Sequence, residues 1–151
     1  AAVAVLVLAI VAGLVWAAWP RHGIFATASA VWASSIDYAP ERVIDGDEST
    51  MWILPDGAPG WVEVRLEPPR RVERITVVNA GAPTLRDRGT RGYRLEIHAG
   101  GVLARTLEGE LPATERATGI HDVGIDGVER IRFTVESHHA LGGGLAEMRL
   151  E

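Results

Sequence analysis

From Ala1 to Trp19 the chain carries no charged residue, only Ala, Val, Leu, Ile, Trp and one Gly. At about 1.5 Å per residue such a stretch makes a helix of roughly 28 Å, close to the hydrocarbon thickness of a bilayer. Trp16 and Trp19 fall at its C-terminal end, where aromatic side chains meet the headgroups, and Pro20-Arg21-His22 follows. A buried core helix of this length would show a polar stripe, and none is present. A cleaved signal peptide has a shorter apolar region, although Ala28-Ser29-Ala30 has the small residues of a cleavage site. The expectation is a transmembrane α-helix over residues 1–20, a short tether over 21–25 and one domain over 26–151, with the lipid bilayer as partner of the first segment. The sequence does not begin with Met, and residues upstream are expected.

All the charge lies beyond this run, where the formal net value is −5. A mildly acidic domain without a basic run is a poor nucleic-acid binder, so no nucleic-acid partner is expected. The chain has no cysteine, which removes disulfides, thiolate metal sites and cysteine nucleophiles together.

Past the apolar run, period-2 alternation dominates. Val62, Val64 and Leu66 alternate with Glu63 and Arg65, the pattern of a half-buried strand. Pro68-Pro69 is expected to end it, because proline cannot donate to a ladder. Ile75 to Val78 follows as a second apolar strand. Tyr93, Leu95 and Ile97 then alternate with polar neighbours, as do Ile131, Phe133 and Val135, while Ala146, Met148 and Leu150 are expected on one face. Turn signals separate these runs, among them Asp56-Gly57, Gly100-Gly101, Asp126-Gly127 and Gly142-Gly143-Gly144. Many short, evenly punctuated strands make an antiparallel β-sandwich or jelly roll. The one helical candidate is a single turn near Pro40 to Val43, with proline at its start. Trp52, Trp32 and Trp61 are all expected in the core.

The most informative segment is Val43-Ile44-Asp45-Gly46-Asp47-Glu48-Ser49-Thr50-Met51-Trp52, followed by Gly60-Trp61-Val62-Glu63-Val64-Arg65-Leu66, Val72-Glu73-Arg74-Ile75-Thr76-Val77 and, last, Ala146-Glu147-Met148-Arg149-Leu150. In order and spacing these landmarks resemble the discoidin, or coagulation factor 5/8 type C, family over about Ala26 to Glu151. The resemblance implies an all-β, galactose-binding-like jelly-roll sandwich. It also implies a structural Ca²⁺ held by the side chains of Asp45, Asp47, Thr50 and Glu147, with carbonyls from around Arg42 and Met148. The residues themselves allow two readings of this loop. Clustered carboxylate and hydroxyl oxygens suit a hard cation. A metal-free turn, with Asp45 accepting from backbone N–H groups and Gly46 at positive φ, suits them as well.

For ligands, two loops carry suitable polar residues: Asn79 to Tyr93, with Asn79, Arg86, Asp87, Arg88 and Arg91, and Glu136 to Leu141, with His138 and His139. Solvated surface arginine is the plain alternative. Glu136 and His138 would share a strand face, but two ligands fall short of a transition-metal site. No nucleophile elbow or zinc-hydrolase motif occurs, so no enzyme is expected. Two functions remain. The first is a membrane-tethered, non-catalytic module binding a glycan or protein ligand outside the cytoplasm. The second is a single-span accessory subunit of a larger membrane complex, whose small residues Ala1, Ala4, Ala9, Ala12 and Gly13 would pack against other transmembrane subunits. Arg21 leans towards a cytoplasmic domain; the resemblance leans towards an extracytoplasmic one, periplasmic or at the cell surface, and is followed here.

Overall fold

The computed structural model describes residues 23–81, 87–114 and 116–151. The expected span and Arg86 lie outside them, and among the described residues no helix is long and apolar enough to cross a membrane. Among the described residues nine strands occur: β1 (Gly23–Ala28), β2 (Trp52–Ile53), β3 (Gly60–Asn79), β4 (Arg88–Thr90), β5 (Gly92–Ala99), β6 (Val102–Glu110), β7 (Thr118–Val135), β8 (His138–Ala140) and β9 (Gly144–Leu150). All pair antiparallel.

The long strands β3 and β7 organise the fold, because each has different neighbours along its two halves. In its first half β3 lies between β1 and the second half of β7, and β5 and β6 extend this layer. In its second half β3 lies between the first half of β7 and β9, and β2 completes that layer. One core lies between them: Val62, Val64, Leu66, Val72, Ile75 and Val77 of β3 share a cluster with Tyr93, Leu95, Ile97, Ile131 and Phe133. Alternation therefore places these residues as expected, every second side chain inward. Arg105 of β6 and Tyr93 of β5 tie the two layers along their open side. Arg105 donates to the Val123 carbonyl at 2.9 Å, and the Tyr93 hydroxyl meets the His121 ring at 2.7 Å.

Three expectations change. Pro68-Pro69 does not end a strand. The ladder with β7 stops at Arg65–Arg130 and resumes at Arg70–Val128, so both prolines sit in a bulge where no donor is needed and β3 continues. Ala146 does not share a face with Met148. A register shift between Val78 and Asn79 leaves Ala146 opposite no residue, so Leu145 and Met148 both enter the main core while Ala146 joins a smaller cluster with Ile53 and Val78. Finally, Gly23, Ile24 and Phe25 are not tether. They form the start of β1, paired with Glu67, Leu66 and Arg65.

The expected helical turn is a 3₁₀ helix, Pro40–Ile44, with proline in its first turn. Two more single turns, Trp32–Ser34 and Ile36–Tyr38, precede it. Residues 29–51 thus cross one end of the sandwich as a chain of tight turns between β1 and β2.

Candidate functional site

The Asp45 loop begins where the 3₁₀ helix stops. Gly46 takes φ of +79°, which lets the chain double back. Asp45 accepts from the Asp47 N–H at 2.9 Å and from the Thr50 hydroxyl at 2.6 Å. Asp47 accepts from the Ser49 N–H and hydroxyl at 2.8 and 2.6 Å, and these donors hold its carboxyl below the usual carboxylate range. Arg42, in the preceding helix, places its guanidinium 3.7 Å from Asp45. The loop is therefore a fully hydrogen-bonded turn, and among the described residues no ready-made set of three metal-binding side chains exists.

Glu147 is the group this turn leaves uncompensated. On β9, opposite Val78, it is only 4% exposed. The Gly46 N–H donates to its carboxylate, yet Oε2 finds no partner among the described residues. Burial, then the charge of Asp45, pushes its pKa up to about 7, with Asp47 adding to the rise and the Gly46 N–H opposing it. A buried acid with a bare oxygen beside two more carboxylates fits a hard cation, provided an aspartate turns towards it. Met148 follows on the same strand, its side chain in the core.

The two loops named for ligand contact come together. Strand β4 of the first pairs with β8 of the second, Arg88 opposite Ala140, Gly89 opposite His139 and Thr90 opposite His138. Asn79 is not available to a ligand: its amide is buried and both its functions are spent on the Thr90 backbone, each at 2.8 Å. It pins β4, as does the Thr90 hydroxyl donating to Gly144 at 2.6 Å. His139 is turned to the Leu111 carbonyl at 2.8 Å, and His138 to that of Ala140 at 3.2 Å. Arg91 is exposed, with its N–H on the Ser137 carbonyl. Glu136 pairs with Arg94 at 2.8 Å rather than with His138.

Arg88 is the centre of this corner. Its side chain is 7% exposed, and its guanidinium lies 2.9 Å from Asp56, 3.6 Å from Asp87 and 3.4 Å from the Leu54 carbonyl. Trp32 packs against it, with the guanidinium carbon 5.8 Å from the ring centroid, and Tyr38 meets Trp32 edge-on at 5.7 Å. Trp32 was expected in the core and is not: 38% of it is exposed. Trp61 is only half-buried, beneath the Arg132 guanidinium at 4.1 Å, whereas Trp52 is fully buried. Ala33 and Ser34, immediately after Trp32, both have φ of +50°, a left-handed conformation costly for residues with a Cβ. Strain of this kind gathers at ligand sites. Asp87 contributes one more unpaired acceptor, since its Oδ1 is shielded from water and has no partner among the described residues. A partly exposed indole face, held in place by a buried guanidinium, can stack on a sugar ring. Sequence reasoning missed Trp32, Tyr38 and Asp56. The one signal available was that Trp32 lies outside any period-2 run.

No family model matches the chain, and no curated protein matches it. Solved structures do. A family 32 carbohydrate-binding module from Clostridium perfringens NanJ, in complex with galactose, superposes with a TM-score of 0.68 at 21% identity, covering 84% of this chain and 92% of that one. The F5/8 type C domain of a Bacteroides fragilis protein gives a TM-score of 0.65 at 18% identity, over 85% and 90% of the two chains. A fucose-binding module from Streptococcus pneumoniae gives 0.64 at 18%, over 83% and 89%. The described domain accordingly has the galactose-binding-like β-sandwich fold of F5/8 type C domains and family 32 carbohydrate-binding modules.

Proposed function

We propose that the chain is a membrane-tethered, non-catalytic module that binds carbohydrate at the corner formed by Trp32, Tyr38, Arg88 and Asp87. The observation that carries the reading is the partly exposed Trp32 indole, held beside Arg88. Sugar rings stack on such faces, and their hydroxyls need both donors and acceptors. The fold supports the same class of ligand, since similar structures hold galactose and, in another Clostridium perfringens module, GalNAc-β-1,3-galactose. The purified chain screened on a glycan array tests the proposal. Binding that disappears in Trp32→Ala is expected, and no binding with or without calcium would overturn it.

A structural Ca²⁺ belongs to this reading. Asp45, Asp47, Thr50 and Glu147 would supply side-chain oxygens and the neighbourhoods of Arg42 and Met148 carbonyls, the cation neutralising Glu147. A melting temperature unmoved by EDTA would sink it. The reading also places residues 1–20 in the bilayer and the domain outside the cytoplasm. With no native cysteine, a single Leu141→Cys variant can be treated with an impermeant maleimide on intact cells. Labelling only after lysis would reverse the orientation.

A further inference from the structure

Most of the large apolar residues that the described domain leaves in solvent lie at its two ends; Ile120, opposite Thr76 on β7, does not. Trp32, Ile36 and Leu141 belong to the loop end around Arg88. Ile24, Phe25, Val102 and Leu103 are exposed at the opposite end. The register places the β1 and β6 residues at one level of the sandwich, on the two outer strands of this layer. Phe25 pairs with Arg65, Arg65 with Arg130, Arg130 with His98 and His98 with Leu103, a single row across five strands. Pro68, Pro69 and the Gly100-Gly101 turn close the same end. Arg65 and Arg70 are exposed beside them.

We propose that this end of the sandwich is a lipid-contact surface, on which the domain rests with Ile24, Phe25, Val102 and Leu103 at the level of the headgroups. The inference rests on reading residues 1–20 as a span. Between Trp19 and Gly23 the chain can reach at most about 14 Å even when fully extended. Because β1 starts at Gly23, its first residues are held near the bilayer, and Ile24 and Phe25 are the first side chains to arrive. Half-exposed apolar residues interleaved with arginines suit the interface, where guanidinium groups reach phosphates while their stems stay in the apolar layer. β1 then runs away from the membrane for about 20 Å at strand rise. It delivers the chain to the turns that carry Trp32, so the saccharide corner faces outward, away from the lipid.

The full chain, reconstituted into vesicles of phosphatidylcholine and phosphatidylglycerol, provides the test. Single cysteines at Phe25→Cys, Leu103→Cys, Ile36→Cys and Leu141→Cys carry an environment-sensitive fluorophore, and variants are compared only if they keep the wild-type melting temperature. The expected result is blue-shifted emission at positions 25 and 103, mostly lost to nitroxide lipids labelled near the headgroup, with unshifted and unquenched emission at 36 and 141. Equal exposure at all four positions, in a chain that still floats with the vesicles, overturns the lipid surface and leaves the span standing. A blue shift at 25 and 103 without lipid quenching overturns it in favour of a protein contact. A chain that does not float overturns the span and this surface together.

Discussion

Trp52 and Trp32 stand on one stretch of chain, and the Trp52 indole donates at 2.9 Å to the carbonyl of Ala30, two residues before Trp32. Around Trp52 the packing is enclosed: Val43, Leu54 and Leu145 share its core, and Asp45 in the loop beside it accepts two hydrogen bonds, although Glu147 next to that loop keeps a bare oxygen among the described residues. Just after Trp32 the backbone is left-handed, and more than a third of Trp32 itself is open to solvent. One region is built to be stable, and the other is held in place by it at some conformational cost. The same residue type serves both because the turns Trp32–Ser34 and Ile36–Tyr38 lift Trp32 off the core.

Exchanging each tryptophan is the strongest way to break this comparison. Trp52→Ala is expected to lose about 3–5 kcal/mol of stability in urea unfolding, as large-to-small core changes do. Trp32→Ala should stay within about 1 kcal/mol of wild type, as surface changes do, while abolishing saccharide binding. Equal destabilisation would make Trp32 a core residue after all. Calcium sharpens the enclosed side: at a hundredfold excess over Kd it should add about 2.7 kcal/mol of stability, and Glu147→Gln should erase that gain. On the open side, Arg88→Met strips Asp56 and the Leu54 carbonyl of a donor, with an expected loss of about 1–3 kcal/mol together with binding. A fully stable but non-binding variant would make Arg88 a ligand contact alone.

The smallest expected effect is a slope with pH in metal-free protein. Glu147 has its pKa raised from an ordinary 4.5 to about 7. Below the lower value both folded and unfolded states hold the proton, and between the two values only the folded state does. Stability is therefore expected to fall as pH rises through this window, because the folded state then binds more protons. Glu147→Gln should flatten that part of the curve, and calcium should reverse it, since a bound cation favours the ionised acid. A rise in metal-free stability over the same range would place Glu147 in a solvated, not a buried, setting.

Much of the architecture was legible in the residues. Val62, Val64, Leu66, Tyr93, Leu95 and Ile97 alternate because half-buried strands impose a period of two. Where the reading failed, a single tertiary detail had overruled a local rule. The bulge around Pro68 makes proline harmless to the ladder, and the shift opposite Val78 changes the face of Ala146. The Asp45 turn was legible in part: its Asp45–Asp47 bond and the positive φ of Gly46 are local, whereas the Gly46 N–H bond to Glu147 reaches across to β9. Arg88 was named as a residue of a candidate ligand loop, yet its burial was invisible, because Asp56 lies thirty-two residues away. Trp32 was misplaced for the converse reason. General burial statistics for tryptophan say nothing about two left-handed residues that follow it.

The pairing of β1 with β3 has a mechanical consequence. Gly23 lies opposite Glu67 and Ala28 opposite Val62, so the strand joins the sheet along its whole length in one direction. A load applied at Gly23 and resisted by a ligand at the far end pulls along the strand axis. The backbone bonds of β1 then bear that load in parallel, as a lap joint does, instead of parting one after another like a peeled strip. On the tethered reading, a domain hung this way would hold under tension against a surface it had gripped.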